Sequence, residues 1–155
     1  MLMGGCMAFN DVLKLVPQQN PFRFIEEILE LDNDHIVGQY TFKLDEFFYQ
    51  GHFPNDPVTP GVILIETMAQ TGVVAFGLYL ESKISKKNEL SQWTTFFTDC
   101  NIEFYKPVFP GDTVIVQGEK VYYRKMKLQT KVKLFLENNE LVAEGIVSGM
   151  GVKRG

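Results

Sequence analysis

The sequence predicts an α+β domain in which a curved antiparallel sheet wraps one buried helix. The run 61–80, GVILIETMAQTGVVAFGLYL, is apolar on every side, and a helix of that kind is either buried or membrane-spanning. Glu66, Gln70 and two threonines within it, with ordinary polar sequence on both flanks, argue for burial. Two strand-like segments precede the run and four long ones follow, separated by turn formers. One helix apolar all round needs a sheet curved about it.

At 155 residues the chain suits one domain, large enough to bury about two thirds of its unfolded surface. A hydrophobic content of 45% supports a core and a charged content of 22% supports solubility. The net charge of −4 argues against nucleic acid as a bulk partner. Two cysteines, Cys6 and Cys100, make no disulfide framework, which points to a reducing cytoplasm. The opening MLMGGC has neither the charged nor the apolar stretch of a signal peptide. Residues 1–9 read as a loose extension and 10–155 as the domain.

Taken in order, Asn10 is expected to cap a short helix that Pro17 ends. Pro21 opens a first strand over 22–31. Asp32-Asn33-Asp34 is a turn, and 35–44 a second strand. His35 reads as a solvated histidine at that strand's edge, with no partner acid. Residues 45–50 form a short aromatic connection. Thr59 is expected to cap the central helix, with Pro60 at its first position, where a missing N–H costs nothing. The segment 81–92 reads as a surface loop with a basic tip at Lys83, Lys86 and Lys87. Strands are expected over 94–108, 113–123, 127–136 and 141–152. A type II turn at 109–112 and an asparagine turn at 138–139 join two of the pairs, and Gly118 is expected to mark a bulge.

The chemistry gathers between positions 51 and 70. His52 stands in a loop crowded with turn formers, and the loop runs into the helix N-terminus, where Gly61 and Val62 offer free N–H groups. Glu66 lies just over one turn further in, with Gln70 four residues on and on the same face. No Lys or Arg neighbours Glu66 on the helix, so an in-helix ion pair is excluded. Burial without a counter-charge favours the protonated acid. A base, a helix N-terminus and a protonated acid are the parts needed to remove a proton beside a carbonyl and expel a β-hydroxyl. The bland alternatives are a histidine that only satisfies its loop and an acid that pairs with a buried base. One histidine and one glutamate do not make a catalytic zinc site, and no metal is expected.

The stretch GHFPNDPVTPGVILIETMAQ resembles the signature of the β-hydroxyacyl-acyl-carrier-protein dehydratases of the FabA/FabZ family. Two further segments, TTFFTDCNIEFYKPVFPGD and the opening DVLKLVPQQNPFRFIEEILELD, resemble it as well. Glu66, where the sister FabA type carries an aspartate, favours the FabZ type. The chain departs from the family pattern at Gln18-Gln19, at Phe24–Glu27, at Thr67, where the family has alanine, and at Glu103 and Tyr105. The resemblance implies a hotdog fold and dehydration of 3-hydroxyacyl-acyl-carrier-protein to the trans-2-enoyl form. It assigns His52 as base and Glu66 as acid, with Gly61 as oxyanion donor. Phe53, Val58 and Gln70 are placed with the substrate-binding residues. It also implies a homodimer with shared sites, extending to a trimer of dimers, and no cofactor, the phosphopantetheine arm arriving with the carrier. No membrane partner is expected.

Lys120, Arg124, Lys125, Lys127, Lys131 and Lys133 cluster in an otherwise acidic chain. They read either as a solvated strand face or as a dock for the acidic acyl carrier protein, with Lys120, Arg124, Lys125 and Lys127 at its centre. Two rival functions remain. A hotdog acyl thioesterase would not need the loop histidine, and a non-catalytic acyl-binding protein should lack one of the two catalytic residues.

Overall fold

A computed structural model describes residues 7–154. Helix α1 (Phe9–Leu15) precedes strands β1 (Glu27–Leu31) and β2 (His35–Thr41). A 3-10 turn (Phe47–Gln50) leads to the central helix α2 (Gly61–Ser82). A short helix α3 (Lys87–Leu90) follows, then β3 (Trp93–Phe104), β4 (Thr113–Arg124), β5 (Lys127–Leu136) and β6 (Leu141–Lys153). The strands form one antiparallel sheet in the order β1-β2-β4-β5-β6-β3. It curls round α2 in the arrangement expected. Although α2 is long and apolar enough to cross a membrane, 72% of its most apolar window is buried inside this sheet.

The period-2 pattern of β5 is the clearest link from sequence to packing. Leu128, Thr130, Val132 and Leu134 are all buried, while Lys131 and Lys133 face solvent. Thr130 is the polar exception, and α2 explains it. Residues Gln70–Ala75 form a wide π turn within the helix, and the Thr130 hydroxyl donates to the Gly72 carbonyl there at 2.6 Å. Two clusters fill the core. One surrounds Phe24, Phe42, Met68 and Leu134 near the start of α2, and the other surrounds Ile25, Ile36, Phe76 and Leu128 near its end.

Several local expectations are corrected. Asn10 lies inside α1, whose cap position is Ala8. Pro60, not Thr59, caps α2, because the Thr59 hydroxyl is taken by Tyr49 Oη at 2.6 Å. The first strand starts at Glu27 because the backbone of Phe22 and Phe24 bonds to the Gln70 side chain in place of a neighbouring strand. The second ends at Thr41, after which Phe42 N–H turns to the Asp112 carbonyl. The 81–92 segment is helical at 81–82 and 87–90 and turn between them, and Glu81 and Leu90 within it are buried. β3 starts a residue early and stops at Phe104.

Gly118 is no bulge. The register of β4 shifts between Lys120 and Tyr122, and a Cβ at Gly118 would lie 3.0 Å from the side chains of Ile36 and Thr130, so glycine serves close packing under α2. His35 does have partner acids. Its Nε2 meets Glu30 at 2.9 Å and its Nδ1 meets Asp32 at 2.8 Å. Gly111, at φ 91°, and Asn139, at φ 70°, hold the turns expected of them. The expected extension falls mostly on residues 1–6, outside the described residues.

Candidate active site

The loop between the 3-10 turn and α2 is built to hold one imidazole. His52 N–H donates to the Phe48 carbonyl at 3.1 Å, and Val58 N–H donates to the His52 carbonyl at 2.9 Å. The His52 ring closes the same span, with Nδ1 2.8 Å from the Val58 carbonyl oxygen. A carbonyl only accepts, so Nδ1 carries the proton, and in the neutral ring Nε2 keeps its lone pair. Phe53 stacks on the imidazole, with ring centroids 4.2 Å apart. Below the loop, Phe48 packs edge-on against Phe24 and Tyr49, and Tyr49 in turn holds Thr59. The loop is therefore fixed to the core at both ends.

α2 begins at Gly61 beside the Phe104 ring. Ile63 and Leu64 N–H groups are taken by the Pro60 carbonyl. Those of Gly61 and Val62 have no partner among the described residues, and both residues are exposed. They form a donor pair at the positive end of a helix dipole.

Glu66 is partly buried, less deeply than its apolar neighbours imply, and Gln70 Nε2 donates to its Oε2 at 2.9 Å. Burial pushes the Glu66 carboxyl above its ordinary value, and the Gln70 hydrogen bond opposes part of that rise. Gln70 itself is fully buried. Its Oε1 accepts from Phe24 N–H at 2.6 Å, and Nε2 also donates to the Phe22 carbonyl at 2.9 Å. Gln70 was expected among the substrate-binding residues. Its amide is instead committed to the protein, orienting the acid and tying the 22–24 segment to α2. Thr67, the departure next to the acid, is satisfied within the helix, its hydroxyl donating to the Ile63 carbonyl at 2.7 Å.

The fold thus brings His52, Phe53, Val58 and Gly61 onto one loop and helix start, with Glu66 and Gln70 on the first turns of α2. Among the described residues no hydrogen bond joins His52 to Glu66. Sequence reasoning missed the Val58 carbonyl as the group that orients His52. The prolines that force residues 52–58 into a closed loop were its signal. It also missed Phe22 and Phe24, whose backbone contacts carry no sequence signature.

The basic run lies at the other end of the sheet. Lys125 and Met126, at φ 51° and 66°, form the tip of the β4–β5 hairpin. Lys120 stands 3.9 Å from Asp34, Lys127 stands 3.9 Å from Asp99, and Arg124 stacks over Tyr122. No group of three or more His, Cys, Asp or Glu suited to a metal ion occurs among the described residues.

Comparison with known proteins places this geometry in a family. The 3-hydroxyacyl-acyl-carrier-protein dehydratase FabZ of Geotalea uraniireducens is 36% identical over 121 residues, covering 77% of this chain and 79% of that protein. Among solved structures, the dehydratase heterocomplex ApeI:P from Xenorhabdus doucetiae aligns with a TM-score of 0.71 at 14% identity, covering 92% of this chain and 91% of that one. A thioesterase from Haemophilus influenzae aligns at 0.66 and 15% identity, covering 99% and 96%. These two likenesses establish the hotdog fold and not the chemistry it carries. Residues 16–146 match the family model of the FabA-like domain, and the chain belongs to that family.

Proposed function

We propose that this protein dehydrates 3-hydroxyacyl chains on acyl carrier protein to trans-2-enoyl chains in fatty-acid biosynthesis. The observation that carries the reading is the His52 imidazole. Its Nδ1 is tied to the Val58 carbonyl, so Nε2 faces outward as a base beside a helix start that leads to Glu66. Nε2 takes the α-proton, and the electron pair delocalises onto the thioester oxygen, which the Gly61 N–H stabilises. The pair then forms the double bond as the β-hydroxyl departs. Glu66, whose acid form burial favours, gives that oxygen a proton, and it leaves as water. The proton on His52 returns to Glu66 through solvent, and the catalyst is restored. No electrons are transferred, so the chemistry needs no redox cofactor.

The site is completed by a second copy of the chain. Support comes from the absence of a His52–Glu66 bond among the described residues and from β3, a twelve-residue edge strand with exposed Phe96 and Phe97. An edge of that length is a template for pairing. Phe53 covers the base, and the acyl chain enters over Phe53 and Val58. The carrier docks on the basic hairpin, and the enzyme works in the cytoplasm.

The test is turnover of a carrier-bound 3-hydroxyacyl thioester, followed by enoyl ultraviolet absorbance with free thiol measured in parallel. Growth of enoyl absorbance without thiol release is the expected result. Thiol release without enoyl product would replace this reading with a thioesterase.

A further inference from the structure

Tyr49 is a core tyrosine whose ring would pack as well without its hydroxyl. It is 5% exposed and stands edge-on to Phe48, with ring centroids 4.7 Å apart. Its hydroxyl bonds to Thr59 Oγ1 at 2.6 Å. Thr59 is just as deeply buried and directly precedes Pro60 and the start of α2. No step of the chemistry above uses either hydroxyl.

Thr59 is a capping residue by type and by position. A threonine hydroxyl oxygen accepts readily from a backbone N–H two or three residues on. For Thr59 those groups belong to Gly61 and Val62, the open donor pair that meets the developing thioester oxygen. Among the described residues no side chain caps α2, because the threonine hydroxyl is turned to Tyr49 instead. The backbone here is fixed separately. Thr59 N–H donates to the Val108 carbonyl at 2.8 Å, and Val58 N–H to the His52 carbonyl at 2.9 Å. The Tyr49 hydroxyl therefore decides which χ1 rotamer Thr59 adopts and not the path of the chain.

We propose that Tyr49 is a positioning residue that keeps the oxyanion donors open by holding the Thr59 hydroxyl away from them. The inference rests on the dehydratase reading. A capped N–H is an occupied one, so the thioester oxygen would have to displace the threonine before it could be stabilised. That loss falls on the transition state, where the charge on the oxygen is greatest.

Three variants separate this role from that of a simple structural pin: Tyr49→Phe, Thr59→Val and the two together. All three lose the Tyr49–Thr59 bond, so a pin that only fastens the loop would slow them alike. Only Tyr49→Phe leaves a free hydroxyl beside the donors. Its kcat is expected to fall about tenfold with KM little changed, a smaller loss than the roughly 10²- to 10³-fold that follows removal of a donor. Thr59→Val and the double variant should keep kcat within about twofold of wild type. Thr59→Val should still unfold at a lower temperature, because it strands the buried Tyr49 hydroxyl. Hydrogen exchange of the Gly61 and Val62 amides, followed by NMR without substrate, reads the same contact. One of the two should slow by about tenfold in Tyr49→Phe alone. Equal kcat in Tyr49→Phe and Thr59→Val, a double variant as slow as Tyr49→Phe, unchanged amide exchange, or a Tyr49→Phe chain that does not fold overturns the inference. Wild type that dehydrates no 3-hydroxyacyl thioester overturns the dehydratase reading instead, a separate result, since amide exchange needs no turnover.

Discussion

The Nδ1 of His52 donates to the backbone carbonyl of Val58 at 2.8 Å, so the imidazole is held by the main chain of its own loop and needs no carboxylate partner. Removing the ring removes the base but leaves the loop's backbone bonds, His52 N–H to Phe48 and Val58 N–H to His52, in place. His52→Ala is therefore expected to fold like wild type and to lose about 10²- to 10⁴-fold in kcat, the usual worth of a general base. Circular dichroism and turnover of the same preparation check it. A drop of less than tenfold would remove His52 from the proton transfer.

Gln70 reaches three groups with one buried amide: Phe24 N–H, the Phe22 carbonyl and Glu66. Gln70→Met keeps the length and flexibility of the side chain and removes the polar atoms. Phe24 N–H and the Phe22 carbonyl then lose their partner, at about 1–3 kcal/mol for each buried group left unmatched. Urea unfolding should show a loss of at least about 2 kcal/mol. Since Glu66 also loses its orienting donor, kcat should fall with little change in KM. Normal stability together with a raised KM would instead return Gln70 to direct substrate contact.

Glu66 links the site to the pH dependence of folding. Burial lifts its carboxyl above the unfolded value, and the Gln70 hydrogen bond offsets part of the lift. A lifted acid binds its proton more tightly when folded. Its favourable contribution is complete below the unfolded value of about 4.3 and declines as pH rises through the lifted folded value. Glu66→Gln keeps an acceptor for Gln70 and removes the titration. The variant should unfold at higher urea than wild type at neutral pH, with the difference closing at about pH 4 and below. A gap that is constant across pH would mean that the fold does not lift the Glu66 carboxyl.

How much was legible in the sequence depended on whether a residue's role was carried by its own pattern or by a distant backbone. β5 was legible over its whole length, because alternation along 127–136 is a local property and burial follows it. The asparagine turn and the helix around Glu66 were legible for the same reason. The start of β1 was not, since nothing in Phe22–Glu26 announces that Gln70, far along the chain, takes its backbone groups. Glu81 read as loop because its neighbours Ser82, Lys83, Ser85 and Lys86 are polar, yet its partner Tyr123 arrives from β4 and buries it. At the site, the types and spacing of His52 and Glu66 were legible in one motif. The carbonyl that sets the imidazole tautomer was not, because every residue has one.

Phe96 is 61% exposed on β3, one of the two edge strands of the sheet. It pairs with Met150 of β6 on one side and, in the proposed dimer, faces a second copy on the other. A lysine on an edge strand discourages edge-to-edge association, because its charge would have to be buried in the joint. It disturbs the folded chain little, because the position is already exposed. Phe96→Lys is therefore expected to shift the protein from dimer to monomer in light scattering on a sizing column, with its unfolding temperature read at matched protein concentration. If His52 of one copy serves Glu66 of the other, dehydration should fall in proportion to the dimer lost and return as protein concentration is raised. A monomer that keeps full activity at low concentration would show that each chain completes its own site.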